Sequence, residues 1–123
     1  MAVRYYSLFN TVSYPTDTTK YTDIKGSYWA IKDISYATSV KWLNGYADGT
    51  FKGDNKITRA EVVTIVNRML GRKADENYIS KNLSVLNKFT DLKDNSYWAF
   101  GDIEEAANTH RGVNSSDGET WVK

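Results

Sequence analysis

The tetrapeptide Thr58-Arg59-Ala60-Glu61 has the spacing of a capping box. In such a box the Thr58 hydroxyl accepts from the Glu61 amide while the Glu61 side chain reaches back to the Thr58 amide, so a helix starts here. Arg59 then lies in the first helical turn, where the positive end of the helix dipole disfavours a cation by ~0.3–1 kcal/mol. A guanidinium beside uncapped helix N–H groups makes a compact anion site: it offers bidentate geometry to a carboxylate, with backbone donors alongside. The alternative is a solvated first-turn residue, or one paired with Asp48 or Glu61.

Asp48-Gly49-Thr50 sits in the run from Gly45 to Asn55, which is dense in turn formers and predicts a tight, ligand-presenting loop closed by one buried aromatic, Phe51. A calcium reading fails on register. A twelve-residue EF-hand loop ending at Glu61 would begin at Thr50, and one beginning at Asp48 would end at Arg59. Trp29 and Trp98 stand just ahead of predicted helices, where an indole can plug the space between repeats or offer its face to a sugar ring. Glu104 and Glu105 are adjacent helix positions pointing about 100° apart, so they cannot flank one bond. His110 lacks a neighbouring nucleophile and reads as a surface residue. No catalytic residues, no metal site and no cofactor are therefore expected.

The elements that must carry these residues are helical. After Trp29, Ala30, Ile34 and Ala37 recur at helical spacing with Ile31 and Val40, giving a helix that ends near Asn44-Gly45. Val62, Val63, Ile65, Val66, Met69 and Leu70 give the helix after Thr58 a broad apolar face, stopped by Gly71 with Arg72-Lys73 close by. It is expected to be the best-buried helix of the chain. A weaker pattern through Tyr78, Ile79, Leu83 and Leu86 predicts a further helix, with Asp75 and Glu76 at its N-terminal end. Val3, Tyr6 and Phe9 read as the buried side of a preceding helix.

At 123 residues the chain suits one compact domain, and 41% hydrophobic against 25% charged residues is a globular balance. The formal charge of +1 provides no field to gather nucleic acid or an anionic membrane surface. Absent cysteine excludes disulfides, thiolate metal sites and a Cys nucleophile. Met1 to Tyr6 lacks the marks of a signal peptide, and no stretch approaches the ~18 apolar residues of a membrane span, so membrane insertion is not expected; an exported form would need a longer parent chain.

The chain repeats itself. Tyr21-Thr22-Asp23-Ile24 is echoed by Phe89-Thr90-Asp91-Leu92, and each is followed by Tyr-Trp-Ala. Trp29 and Trp98, Asp33-Ile34 and Asp102-Ile103, Ala37 and Ala106, and Asp48-Gly49 and Asp117-Gly118 are all 69 positions apart. The second copy has no second Thr-Arg-Ala-Glu. The expected organisation is a preceding-repeat tail and linker at 1–20, a full repeat at 21–71, a connecting helix at 72–88 and a partial repeat at 89–123.

Tyr21-Thr22-Asp23, Trp29, Ile34, Ala37, Gly45, Asp48-Gly49-Thr50-Phe51, Ile57-Thr58-Arg59-Ala60-Glu61 and Arg68 together resemble one full S-layer homology repeat, and residues 89 to 121 resemble part of another, as in the C-terminal repeats of clostridial-type surface proteins. The resemblance implies an all-α fold of helical repeats forming part of a pseudo-threefold spindle. It also implies grooves that bind pyruvylated secondary cell-wall polysaccharide, with the ketal carboxylate on Arg59. The ligand-binding residues so implied are Arg59, Thr58, Asp48, Gly49, Thr50, Trp29 and Trp98. Three departures stand out: Gly53 where the family often has proline, Asn114 in place of the glycine at Gly45, and no arginine motif after Trp121.

The function this implies is non-covalent, non-catalytic anchoring of a surface protein outside the cell, at the wall or S-layer. Self-association through the incomplete repeats is a further expectation. The competing reading is a structural repeat that assembles a surface layer without binding glycan. A catalytic domain could lie elsewhere in the parent protein.

Overall fold

The computed structural model describes residues 1–15, 19–86, 89–92, 95–115 and 118–122. Its elements are α1 (Ala2–Tyr6), α2 (Ile31–Ser39), α3 (Arg59–Met69), α4 (Glu76–Asn82), α5 (Phe100–Ala107), β1 (Arg111–Ser115) and β2 (Gly118–Val122). They fall into two compact units, Met1–Lys56 and Ile57–Lys123. Among the described residues no helix is long and apolar enough to cross a membrane.

In the first unit α2 buries Ile31, Ile34 and Ala37 of the predicted stripe, while Ala30 is half-buried and Val40 is 38% exposed. Tyr21, Ile24, Ile31 and Ile34 form the core, and Tyr28, Ala30 and Phe51 pack against it half-buried. Each isoleucine so covered contributes ~1.5–3 kcal/mol of transfer free energy. α1 packs on α2 through Val3, which is buried, but Phe9 is 73% exposed. The helix stops at Tyr6, so Phe9 lies beyond it and leaves the register that would have buried it.

The predicted end of α2 also moves. The helix closes at Ser39, with Lys41 in the left-handed region at φ 62, Trp42 N–H donating to the Ala37 carbonyl at 2.8 Å and Lys41 N–H to that of Thr38 at 3.1 Å. This is a Schellman motif on a non-glycine residue. Trp42 explains the early stop: it is buried, edge-on to Tyr6 at 5.0 Å and to Tyr36 at 5.7 Å, and the turn is what brings it inward. Gly45, with φ 71, serves the following loop, where a Cβ would overlap the Tyr21 ring.

In the second unit α3 opens on a formed capping box and ends on Gly71 at φ 68, with Arg72 N–H reaching the Asn67 carbonyl at 2.8 Å. Its face differs from the expectation. The buried side is Ala60, Thr64 and Asn67, while Val62 and Val66 are exposed and Leu70 is 60% exposed. The reason is polar pairing with α5. Thr64 Oγ1 donates to Asp102 Oδ2 at 2.8 Å, and Asn67 Nδ2 donates to the Asp102 carbonyl at 2.9 Å. Small residues at helical spacing let the two helices approach, and leaving buried polar groups unpaired would cost more than exposing valine. α5 turns likewise: Ala99, Glu104 and Glu105 are buried and Ala106 is exposed.

α4 is capped by Asp75, whose Oδ1 accepts from Tyr78 N–H at 2.9 Å, and it buries Ile79. The chain then departs from an all-α fold. β1 and β2 pair antiparallel, with Gly112 opposite Trp121 and Val113 opposite Thr120. Along β2 the residues alternate: Thr120 is exposed, Trp121 buried and Val122 exposed. The period of two, and β-branched and aromatic side chains with a single face to cover, make a strand of this segment. The architecture is therefore mostly helical with one C-terminal hairpin. Of the repeat landmarks, Asp117 lies outside the described residues.

Candidate ligand-binding site

The loop of the first unit is self-contained. Thr50 donates to Asp48 Oδ1 through its amide at 3.0 Å and its hydroxyl at 2.6 Å, and Lys52 Nζ lies 3.1 Å from Asp48 Oδ2. These bonds, the Thr50 hydroxyl foremost, lower the Asp48 pKa from 3.8 to about 2. Gly49 sits at φ 81, and its carbonyl accepts from Thr22 N–H at 3.1 Å. Asp48, Gly49 and Thr50 thus form one turn, but the Asp48 carboxylate and the Thr50 hydroxyl are already engaged with each other.

Asp23 is the residue that sequence reasoning passed over. Its carboxylate accepts from Phe51 N–H at 2.8 Å and Lys52 N–H at 2.7 Å, and the Phe51 bond is the main reason its pKa is lowered. It fixes the loop to the core through Phe51, whose ring lies 5.6 Å from that of Tyr21. The signal was present in the repeated Thr-Asp of residues 22–23 and 90–91.

Trp29 does not plug a core. It is 75% exposed, with the Tyr28 ring 6.0 Å away and the Arg4 guanidinium over it at 5.8 Å, Arg4 itself being paired to Asp33 at 3.1 Å. The result is an open aromatic surface with a cation lying over it.

In the second unit Thr58 is consumed by the cap: its amide donates to Glu61 Oε2 at 2.8 Å, and its hydroxyl accepts from Glu61 N–H at 3.3 Å. Arg59 is exposed, with its guanidinium over the Phe89 ring at 4.8 Å. Among the described residues of its unit, no carboxylate pairs with it. Of the alternatives, pairing with Glu61 is disfavoured by the box, which turns that carboxylate back toward Thr58. Trp98 is 60% exposed beside Tyr97 at 5.9 Å, so it too is open rather than buried. Arg59 and Thr58 share the start of α3, Trp98 precedes α5, and Trp29 and the Asp48 turn belong to the first unit.

His110 is the clearest correction. Its side chain is 6% exposed and stacks on Trp121 at 3.8 Å and 10°, between Glu105 and Glu119. A lone histidine in sequence gained these neighbours only when the hairpin folded back on α5.

A family model described as S-layer homology domain matches residues 20–63. Cell surface glycoprotein 1 of Acetivibrio thermocellus is 39% identical over 104 residues, which cover 85% of this chain and 4% of that protein. The Cellulosome-anchoring protein of the same organism is 52% identical over 58 residues, covering 47% of this chain and 12% of its own length. The Surface layer protein of Brevibacillus choshinensis is 31% identical over 74 residues, covering 60% and 6%. The chain spans only a small part of these relatives, and no solved structure matches it. The match falls on the residues whose geometry is described above, from the Tyr21 core through the Asp48 turn to the capping box, and it is this segment, residues 20–63, that carries the S-layer homology domain.

Proposed function

We propose that this chain is a non-catalytic cell-wall anchoring module, working outside the bacterial cell, that binds pyruvylated secondary cell-wall polysaccharide with Arg59 as the carboxylate receptor. The observation that carries this reading is Arg59 itself: exposed in the first turn of α3, laid over Phe89, and without a carboxylate partner among the described residues of its unit. The ring restrains the guanidinium while leaving its N–H edge free for a bidentate contact. Trp29 and Trp98 offer exposed faces for sugar stacking, and the Asp48-Gly49-Thr50 turn contributes backbone shape, its side chains being spent internally. In this reading residues 21–71 form a full repeat, 72–88 connect, 89–123 form a partial one, 1–20 end a preceding one, and the repeats take their places in a pseudo-threefold spindle.

The test is sedimentation of the chain with purified cell walls before and after removal of pyruvate. Arg59→Ala is expected to lower affinity for native walls by ~2–5 kcal/mol, because the ligand carboxylate is left desolvated and unpaired. Arg59→Lys should recover little, since an ammonium keeps the charge and loses the planar fork. Depyruvylation should weaken the wild type and hardly affect Arg59→Ala. Equal losses for both proteins would remove the assignment.

The exposed Ile57, Val62, Val66 and Leu70 favour a second reading, a surface-layer assembly repeat without glycan binding. Self-association that persists without walls, together with no retention on walls, would support it.

A further inference from the structure

Between α5 and the hairpin lies a cluster that the anchoring reading does not use. Glu105 is fully buried, its Oε1 standing 3.2 Å from His110 Nε2, and Glu119 Oε1 stands 3.4 Å from the same nitrogen. One ligand atom from each of the three residues fits within 4.8 Å of the others. Two ligands held ~2.0–2.1 Å from a tetrahedral zinc stand ~3.3 Å apart, so these separations are those of ligands sharing one ion.

The surroundings hold each donor in a ligating pose. His110 Nδ1 lies 2.8 Å from the Asn108 carbonyl, which can only accept; Nδ1 therefore carries a proton and the Nε2 edge faces the carboxylates. Glu105 Oε2 accepts from Trp121 Nε1 at 2.8 Å, leaving Oε1 directed into the cluster. Glu119 lies across β1 at Gly112, where a Cβ would collide with its carboxylate. Trp121, stacked on His110, walls the cluster from water.

Two observations point to a cation. Two carboxylates, Glu105 from α5 and Glu119 from β2, converge on His110 Nε2, and Glu105 Oε1, although buried, receives no aligned hydrogen bond. Arg72 Nη2 approaches it at 2.7 Å and lies 3.3 Å from His110 Nε2, close to where an ion would have to sit. Arg72 follows α3 and its side chain is 37% exposed, so its guanidinium has a route to solvent once another cation takes over the charge of Glu105.

We propose that Glu105, His110 and Glu119 form a site for a divalent ion of the zinc type, in which the Arg72 guanidinium is a competing, displaceable cation. One histidine with two carboxylates suits zinc better than magnesium or calcium, which prefer all-oxygen sets.

The test uses the full chain with Zn²⁺ and Co²⁺ followed by calorimetry and visible absorption. Arg72→Ala is expected to bind one Zn²⁺ at least about tenfold more tightly than wild type and to give the intense Co²⁺ band of a tetrahedral site, whereas Mg²⁺ at equal concentration should not displace it. Adding His110→Ala should lower that affinity more than about tenfold and abolish the band. Should Arg72→Ala unfold because Glu105 has lost its counter-charge, Zn²⁺ should restore its near-ultraviolet circular dichroism, and should fail to do so in Arg72→Ala/His110→Ala. A folded Arg72→Ala that binds no more Zn²⁺ than the double variant, or an unfolded one that Zn²⁺ does not rescue, overturns the site and leaves a buried ion-pair network.

Discussion

At the scale of single residues, partner identity separates staples from receptors. Asp48 and Arg59 look equally suited to a ligand in sequence, yet Asp48 is bound by Thr50 and Lys52 while Arg59 touches a ring. The depressed Asp48 pKa has a pH consequence whose sign is fixed. Because the folded value, about 2, lies below the ordinary 3.8, the ionised carboxylate favours the closed loop; that contribution is complete above about pH 4 and is lost as pH falls toward 2. The Asp48 carboxyl carbon, followed by NMR, should titrate near 2, and loop amide shifts should move with it. Asp48→Asn should remove the acid transition at the Thr50 amide while leaving that of the Phe51 and Lys52 amides, which bond Asp23. A titration at the ordinary carboxylate value would show that the turn is open in solution.

At the scale of elements, termini decide more than propensity. The Thr58 box satisfies the first turn of α3, so Thr58→Ala should lower stability by ~0.5–2 kcal/mol with the fold retained. An unchanged denaturant midpoint would mean that the box does not form. α2 ends instead on Lys41 at φ 62, a conformation costing a non-glycine residue ~1–2 kcal/mol. Lys41→Gly should raise stability by up to ~1 kcal/mol and the denaturant midpoint with it, part of the relief being offset by glycine's greater entropy when unfolded. Its failure to do so would place Trp42 burial, not the turn, in control of the helix end. The helix faces teach a related lesson: α3 presents valines to solvent because Thr64 and Asn67 have Asp102 to bond, a partner 38 and 35 positions away.

At the scale of the whole molecule, each compact unit has its own means of cohesion. The first is an isoleucine and tyrosine core pinned by Asp23. The second is held by polar contacts between α3 and α5 and by Trp121, whose amide reaches Asp75 Oδ2 at 3.1 Å and whose ring lies 5.4 Å from Tyr78. A chain ending at Gly71 loses the α5 cover of Ala60, Thr64 and Asn67. Residues 57–71 should then show random-coil shifts or drive association, as expected of a repeat element that cannot bury its core alone. A well-dispersed monomer spectrum over those residues would contradict this.

Local signals were legible in the residues because their physics is local. The capping box, the glycine stop of α3, the Ile31-Ile34-Ala37 stripe, the aspartate cap of α4 and the family pattern through Arg59 all depend on neighbours within a few positions. What spans many positions was not legible. The hairpin, the polar face of α3, the exposure of Trp29 and Trp98, the burial of Trp42 and the enclosure of His110 by Glu105 and Glu119 depend on which distant side chain supplies cover or a hydrogen-bond partner. Periodicity gives the hydrophobic option for each face; tertiary packing overrules it wherever a buried polar group must be satisfied.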